Sequence, residues 1–182
     1  MIFQTERLFL RKMEAVDFQD LAEILQDPQV MYAYGHDFTD EDVLHWLDRQ
    51  KTRYLKYGFG LWALVLKETG EMIGQAGLTM QPYLDQEVLE VGYLLKKRHW
   101  HKGYAREAAR GCVEYAFRQL HAEKVYSIIK ADNLPSQRVA LSIGMQKEAE
   151  FTTRYYAGDM LHYLFSFSAS AREEEAWKPF TS

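Results

Sequence analysis

The segment RHWHKGYAREA, residues 98–108, contains the residue types most able to do chemistry. His99 and His101 are separated by one residue, and histidine is a common metal ligand. On a strand this spacing would place both rings on one face. No cysteine or carboxylate pair at ligand spacing accompanies them, so the segment does not predict a metal site.

The same segment could instead bind an anion. A strand pattern ends at about Leu95, and a helical pattern begins near Gly103. The first amides of a helix have no partners within it, and the helix dipole makes that end positive. Gly103 leaves room for a ligand oxygen, so the turn could hold a phosphate or pyrophosphate. A solvated basic loop leading into a helix would have the same composition. Four cations add positive charge here: Lys96, Lys97, Arg98 and Lys102.

Composition narrows the class of protein. The 182 residues predict one domain over residues 1–170 and a polar C-terminal tail over residues 171–182. The formal net charge of −4 disfavours a non-specific nucleic-acid binder, which needs a basic face. The single cysteine, Cys112, allows no disulfide within the chain and fits a reducing cytoplasm.

No segment predicts a membrane or secretory protein. No apolar run approaches the roughly 20 residues of a membrane span, and residues 1–12 lack the apolar run of a signal peptide. We therefore expect a cytoplasmic protein with no membrane and no nucleic-acid partner.

Hydrophobic periodicity predicts seven strands and four helices. Their order is strand, two helices, three strands, helix, strand, helix and two strands, which indicates an α/β or α+β fold with a mixed sheet. Cys112 falls on the apolar stripe of the third helix and is expected in the core. The helices are predicted over residues 17–27, 39–58, 103–121 and 133–144.

The segment WHKGYAREA, Trp100 to Ala108, resembles the pyrophosphate loop of the GNAT superfamily of N-acetyltransferases. It is most similar to the RimJ/RimL-type branch, in which this loop often reads W-G-x-G-Y-A-x-E-A. His101 is the one departure, since it replaces the first glycine. The resemblance extends in order and spacing over about residues 3–168. Its other segments are residues 5–30, LEVGYLLKK, NLPSQRVALSIGM and GDMLHYLFS.

The resemblance implies a fold and a cofactor. The family has a mixed, mostly antiparallel seven-stranded sheet with a splayed parallel pair, flanked by about four helices. Acetyl-CoA would bind where VGYLL and VYSIIK separate, with its pantetheine arm on main-chain groups of Tyr93, Leu94 and Leu95. Asn133 would hydrogen-bond near the pantetheine, or would cap the helix that follows it. The pyrophosphate would bind the amides of His101, Lys102, Gly103, Tyr104, Ala105 and Arg106.

The resemblance also implies catalytic roles. Glu90 would accept the proton of the amine, directly or through water; alternatively, it pairs with a neighbouring basic residue. Many relatives place a tyrosine acid where this chain has Ala140. The RimJ/RimL-type branch has a serine three residues after the asparagine instead, and Ser136 matches it. Ser136 could equally be a local capping residue.

The acceptor is expected to be a primary amine, either a protein N-terminus or a small molecule. The segment MYAYGHD lies where the family varies its acceptor specificity, so Tyr32, Tyr34 and His36 are the candidate substrate-binding residues. A catalytically impaired acyl-CoA-binding module is the alternative, and a nucleotide-binding protein is a third possibility. Either a monomer or a homodimer is compatible with the sequence.

Overall fold

Four helices and eight strands make up the computed structural model, which describes residues 1–156 and 158–170. The predicted tail, residues 171–182, lies outside the described residues. The helices are α1 (Phe18–Leu25), α2 (Asp40–Tyr57), α3 (Tyr104–Gln119) and α4 (Leu134–Ser142). The strands are β1 (Phe3–Gln4), β2 (Leu8–Arg11), β3 (Leu61–Leu66), β4 (Met72–Tyr83), β5 (Gln86–Leu95), β6 (Lys124–Lys130), β7 (Gln146–Tyr155) and β8 (Gly158–Ser168).

The strands form one sheet in the order β1-β2-β3-β4-β5-β6-β8-β7. Every neighbouring pair is antiparallel except β5 and β6, which are parallel. The predicted mixed, mostly antiparallel sheet is thus confirmed, with eight strands where seven were expected. The extra strand is β1, whose two residues are too few to produce a period in the sequence.

Both faces of the sheet are covered, as β3 shows by its burial. All six residues of LWALVL are buried. Trp62 and Leu64 belong to the core cluster that contains Cys112 of α3, whereas Ala63 and Val65 belong to the cluster that contains Leu21, Ile24, Val43 and Leu47 of α1 and α2. Because side chains alternate along a strand, α3 lies against one face and α1 and α2 against the other.

Helix α2 is fixed at both ends and against the sheet. Thr39 and Asp42 form a capping box at its start, and Gly58 ends it in the left-handed conformation, with φ of 80°. Along its length, the Trp46 indole donates to Gln75 Oε1 of β4 at 2.9 Å. One face of α2 is thereby held over the middle of the sheet.

None of the helices in the described part of the chain has the length and apolar character that a membrane crossing requires.

Candidate active site

Strands β5 and β6 separate along most of their length. They share a single register pair, Glu90 with Tyr126. On their outer sides, β5 pairs with β4 over its whole length and β6 pairs with β8 likewise. Each strand is therefore paired along its whole length on one side and, apart from this one position, unpaired on the other. A cavity of about 250 Å³ opens at this gap.

Glu90 lies where pairing between the two strands stops. Its Oε1 accepts a hydrogen bond from the amide of Ile128 on β6 at 3.1 Å. Its Oε2 accepts from Thr79 Oγ1 on β4 at 3.4 Å. The carboxylate is thus held by two strands while it also lines the cavity.

The Glu90 carboxyl titrates near neutral pH. Loss of hydration on burial raises its pKa from 4.5 to about 7, and this effect exceeds the opposing ones. Those are the hydrogen bonds from Ile128, Thr79 and Gln81 and the positive charge of Arg53. A carboxylate with this pKa is suited to accepting a proton at physiological pH.

The start of α4 contributes Asn133 and Ser136 to the same cavity. Asn133 Oδ1 accepts from the Ser136 amide at 3.2 Å, so Asn133 is the N-cap of α4. The Tyr93 hydroxyl donates to the Ser136 carbonyl at 3.0 Å and joins β5 to α4 across the gap. The Ser136 hydroxyl forms no hydrogen bond with any described residue, so it is available to a ligand.

The N–H and C=O groups of successive β5 residues point alternately to the gap and to β4. The Lys96 amide donates to Ile73 of β4 at 2.9 Å. The carbonyls of Val91 and Leu95 accept from Ser127 Oγ at 3.4 Å and from Trp100 Nε1 at 3.0 Å. Main-chain groups of Tyr93 therefore face the gap, and those of Leu94 face β4. Of the three residues predicted to pair with pantetheine, Tyr93 is the best placed.

The turn from β5 to α3 presents a row of unpaired amides. No amide from His101 to Arg106 donates a hydrogen bond to a residue within the described ranges. His101 has φ of 60° and Gly103 has φ of 82°, so two residues of the turn are left-handed. The turn is tied to the N-terminal strands because Arg7 Nη1 donates to the Lys102 carbonyl at 2.9 Å, and Arg7 also pairs with Glu107 at 2.7 Å.

These amides suit a bound anion such as a phosphate or pyrophosphate. They lie at the positive end of a 16-residue helix. Glycine at position 103 also leaves room beside Arg7, because a Cβ added there would meet Arg7 Nη2 at 3.3 Å. Histidine is one of the residues that tolerates left-handed backbone better than most, and it still supplies its amide. The departure at His101 therefore leaves the donor row intact.

The three predicted acceptor residues lie in different places. Tyr34 lines the cavity and packs edge-on against Trp46, with ring centroids 6.0 Å apart. Tyr32 is 42% exposed and does not line the cavity. His36 also lies outside the cavity lining; it stacks on Tyr156 at 4.2 Å and approaches Asp42 at 3.2 Å. Only Tyr34 of these three forms part of the cavity wall.

The sequence did not predict one wall of the cavity. Trp46, Arg49, Gln50 and Arg53 all line it from α2. Their spacing of i, i+3, i+4 and i+7 places them on one helical face. The sequence feature that could have indicated this wall is a pair of arginines on the same helical face as a tryptophan. The sequence alone did not show what that face contacts.

Among residues 1–156 and 158–170, no group of three or more histidine, cysteine, aspartate or glutamate side chains is arranged so that it could hold a metal ion. His99 is buried and approaches Glu71 at 3.3 Å, whereas His101 is exposed. The two rings therefore lie in different environments, although they are close in sequence.

A parallel strand pair that splays beside a helix N-terminus, within a mostly antiparallel sheet, is the fold that the resemblance to the GNAT superfamily implied. Residues 7–146 match the description "Acetyltransferase (GNAT) domain". The chain belongs to the GNAT family and is an N-acetyltransferase.

Known proteins support this assignment. The chain is 39% identical to the uncharacterized protein YkkB of Bacillus subtilis, over 78% of this chain and 83% of that protein. It is 33% identical to the uncharacterized N-acetyltransferase p20 of Bacillus licheniformis, over 93% and 96% of the two chains. RimJ of Mycobacterium smegmatis, solved in complex with CoA-disulfide, has the same fold at 15% identity, with a TM-score of 0.76 over 90% of this chain and 83% of that one.

Proposed function

We propose that the chain transfers the acetyl group of acetyl-CoA directly to a primary amine, in the manner of the RimJ/RimL-type branch. The observation that carries this proposal is Glu90, a carboxylate with a pKa of about 7 at the gap between β5 and β6. The acceptor is a small-molecule amine or a protein N-terminus. We expect the enzyme to act in the cytoplasm, which the single cysteine favours.

Two groups of residues would hold acetyl-CoA, which supplies an activated acetyl thioester. The amides of residues 101–106 suit its pyrophosphate, since they are unpaired within the described chain and lie at a helix N-terminus. Tyr93 suits the pantetheine arm, because its main-chain groups face the gap. Asn133 lines the same gap and has a side-chain nitrogen that is not used in capping α4.

The chemistry needs one proton acceptor and one proton donor. Glu90, in its ionised form, takes a proton from the acceptor ammonium, directly or through water, and leaves a nucleophilic amine. A bond forms between the amine nitrogen and the acetyl carbon, and the bond from that carbon to sulfur breaks. The attacking nitrogen then loses its second proton, which passes through the Ser136 hydroxyl or water to the departing sulfur. CoA therefore leaves as a thiol, Ser136 remains neutral, and Glu90 releases its proton to solvent. No metal takes part in this proposal.

A thiol-release assay with acetyl-CoA and a mixed panel of amines tests the proposal, with mass spectrometry to identify the acetylated product. We expect CoA release only when an amine is present and an acetylated amine in equal amount. Tight binding of acetyl-CoA without turnover on any amine would instead favour an impaired acyl-CoA-binding module. Preference for ATP over CoA in a titration would favour a nucleotide-binding protein.

A further inference from the structure

The cavity beside Glu90 is positively charged, although the chain is acidic overall. Its lining contains three cationic side chains, Arg49, Arg53 and Lys130, and one carboxylate, that of Glu90. The formal net charge of the whole chain is −4. Lys130 is already paired with Asp132 at 2.9 Å. The uncompensated positive charge therefore belongs to the two arginines of α2.

Arg53 is held in place by a neutral partner. Its Nη1 donates to Gln50 Oε1 at 3.3 Å. Gln50 is fully buried, and the same oxygen accepts from the Leu61 amide at 3.0 Å, which fixes its orientation. A guanidinium has five N–H donors, so most of those on Arg53 are unused within the described residues. The side chain is preorganised without being neutralised.

Arg49 lies one turn before Arg53 on the same face. Its guanidinium lies over the Trp46 ring, 5.1 Å from the centroid. Within the residues that the structure describes, neither arginine has a carboxylate within 4.0 Å. Like charges at i and i+4 destabilise a helix. Burial and the charge of Arg49 together lower the pKa of Arg53, so the pair favours a bound anion.

Glu90 and Arg53 both line this cavity. They influence each other electrostatically but do not form an ion pair. An acceptor with an ammonium group and a nearby carboxylate could bind both residues at once. Arginine is well suited to this role, because its planar fork of donors binds a carboxylate through two hydrogen bonds.

We propose that the acceptor is a small zwitterion, such as a free amino acid, whose carboxylate binds Arg53 and Arg49 while its amine faces Glu90. This inference rests on the proposed function, since it names the acceptor class of the same site. The cavity volume of about 250 Å³ suits a small molecule. A protein N-terminus lacks the α-carboxylate, because that group is consumed in the peptide bond.

The test compares L-amino acids with their α-amides at a pH well above the pKa of Glu90. The rate constant kcat/KM is measured by thiol release, and acceptor binding in the presence of CoA is measured by calorimetry. We expect a preference of at least about tenfold for the carboxylate form, since a site built to bind a polar group rejects analogues that lack it. Arg53→Gln should abolish that preference, and Arg49→Gln should reduce it.

Lys51→Gln is the matched control. Lys51 is an exposed cation of the same helix, and among the residues that the structure describes it pairs with Asp48 alone, at 3.3 Å. This variant should retain the preference. Equal kcat/KM for amides and amino acids in the wild type would overturn the inference. An equal decrease of kcat/KM for both acceptors in Arg53→Gln would also overturn it. Preference for a dipeptide with N-terminal aspartate over every free amino acid would also overturn it.

The two proposals can fail separately. Acetylation of amines without a carboxylate preference would retain the transferase and reject the zwitterionic acceptor. Arg53-dependent binding of amino acids without any acetyl transfer would retain the binding site and reject the proposed function.

Discussion

Glu90 shows how a residue on a strand becomes chemically useful when the sheet opens beside it. On a fully paired strand its carboxylate would point to solvent or to a basic neighbour. Here it accepts from the Ile128 amide and lies in a cavity that removes much of its hydration. Burial therefore raises its pKa to about 7, while Arg53 limits the increase.

This pKa predicts the pH dependence of acetyl transfer. As the proposed base, Glu90 accepts a proton only when it is ionised, so kcat/KM should fall as pH decreases through about 7. Because the charge of Arg53 favours the ionised form, Arg53→Gln should move this acidic limb to higher pH. The measurement is a pH profile of thiol release, with circular dichroism at each pH to verify folding. An acidic limb near the usual glutamate pKa of 4.5 would contradict the burial argument.

Ser136 makes a separate prediction for the leaving group. Ser136→Ala should lower kcat by about tenfold or more, because the departing sulfur loses its donor. Binding of acetyl-CoA should change little, since the Ser136 amide and its bond to Asn133 remain. Single-turnover rates and calorimetry separate these effects. Ser142→Ala, at the other end of α4, is the control; an equal loss of kcat there would assign Ser136 a structural role.

The turn between β5 and α3 works through backbone conformation more than through side chains. His101 and Gly103 both have positive φ, and the amides around them form no hydrogen bonds with described residues. Such an arrangement binds an anion with main-chain donors, so its side chains can vary. A histidine can therefore occupy a position where the family has glycine.

Substitutions at His101 test this account of the turn. His101→Gly should retain acetyl-CoA affinity, because the amide persists and glycine adopts φ of 60° easily. His101→Pro should weaken affinity by about tenfold or more, because proline has no N–H and requires φ near −65°. Calorimetry with acetyl-CoA measures both, with thermal unfolding as the check on folding. Equal affinity in the two variants would show that the His101 amide is not used.

The sequence predicts local features of these elements better than their mutual placement. The starts of α2 and α3, near Thr39 and Gly103, were predicted from the sequence, because helix boundaries depend on adjacent residues. Tyr34 points into the cavity, whereas Tyr32 and His36 do not. The sequence could not predict this difference, because the loop that contains them has no hydrophobic periodicity. The stripe containing Arg53 faces the cavity only because tertiary packing brings residues of α2 and β5 to the same cavity.

At the scale of the whole molecule, a charged cluster joins elements that are distant in sequence. The Lys96 side chain is only 2% exposed. Its ammonium lies 2.5 Å from Asp20 and 3.0 Å from Glu23 of α1, and 3.6 Å from Glu71 beside β4. These ion pairs connect α1 to the end of β5, next to the turn that leads to α3.

Removal of Lys96 should therefore destabilise the protein. Lys96→Met would leave Asp20 without this cation and would leave Glu23 and Glu71 with Arg98 as their partner. We expect a loss of about 2 kcal/mol in the free energy of unfolding. That value is below the roughly 3–5 kcal/mol for a fully buried pair, because Asp20 and Glu23 are partly exposed. Urea denaturation measures the loss. Lys97→Met, at the exposed neighbouring position, should be nearly neutral; equal stability of the two variants would contradict the prediction.

The opened sheet, the cationic cavity and the amide row converge on one claim, that Glu90 is the base of an acetyl transfer. The most direct test measures kcat and acetyl-CoA affinity for Glu90→Gln and, as the matched control, for Glu87→Gln at an exposed position of the same strand. The account predicts that Glu90→Gln lowers kcat by about a hundredfold or more and leaves acetyl-CoA affinity nearly unchanged, while Glu87→Gln resembles the wild type. An unchanged kcat in Glu90→Gln would contradict it.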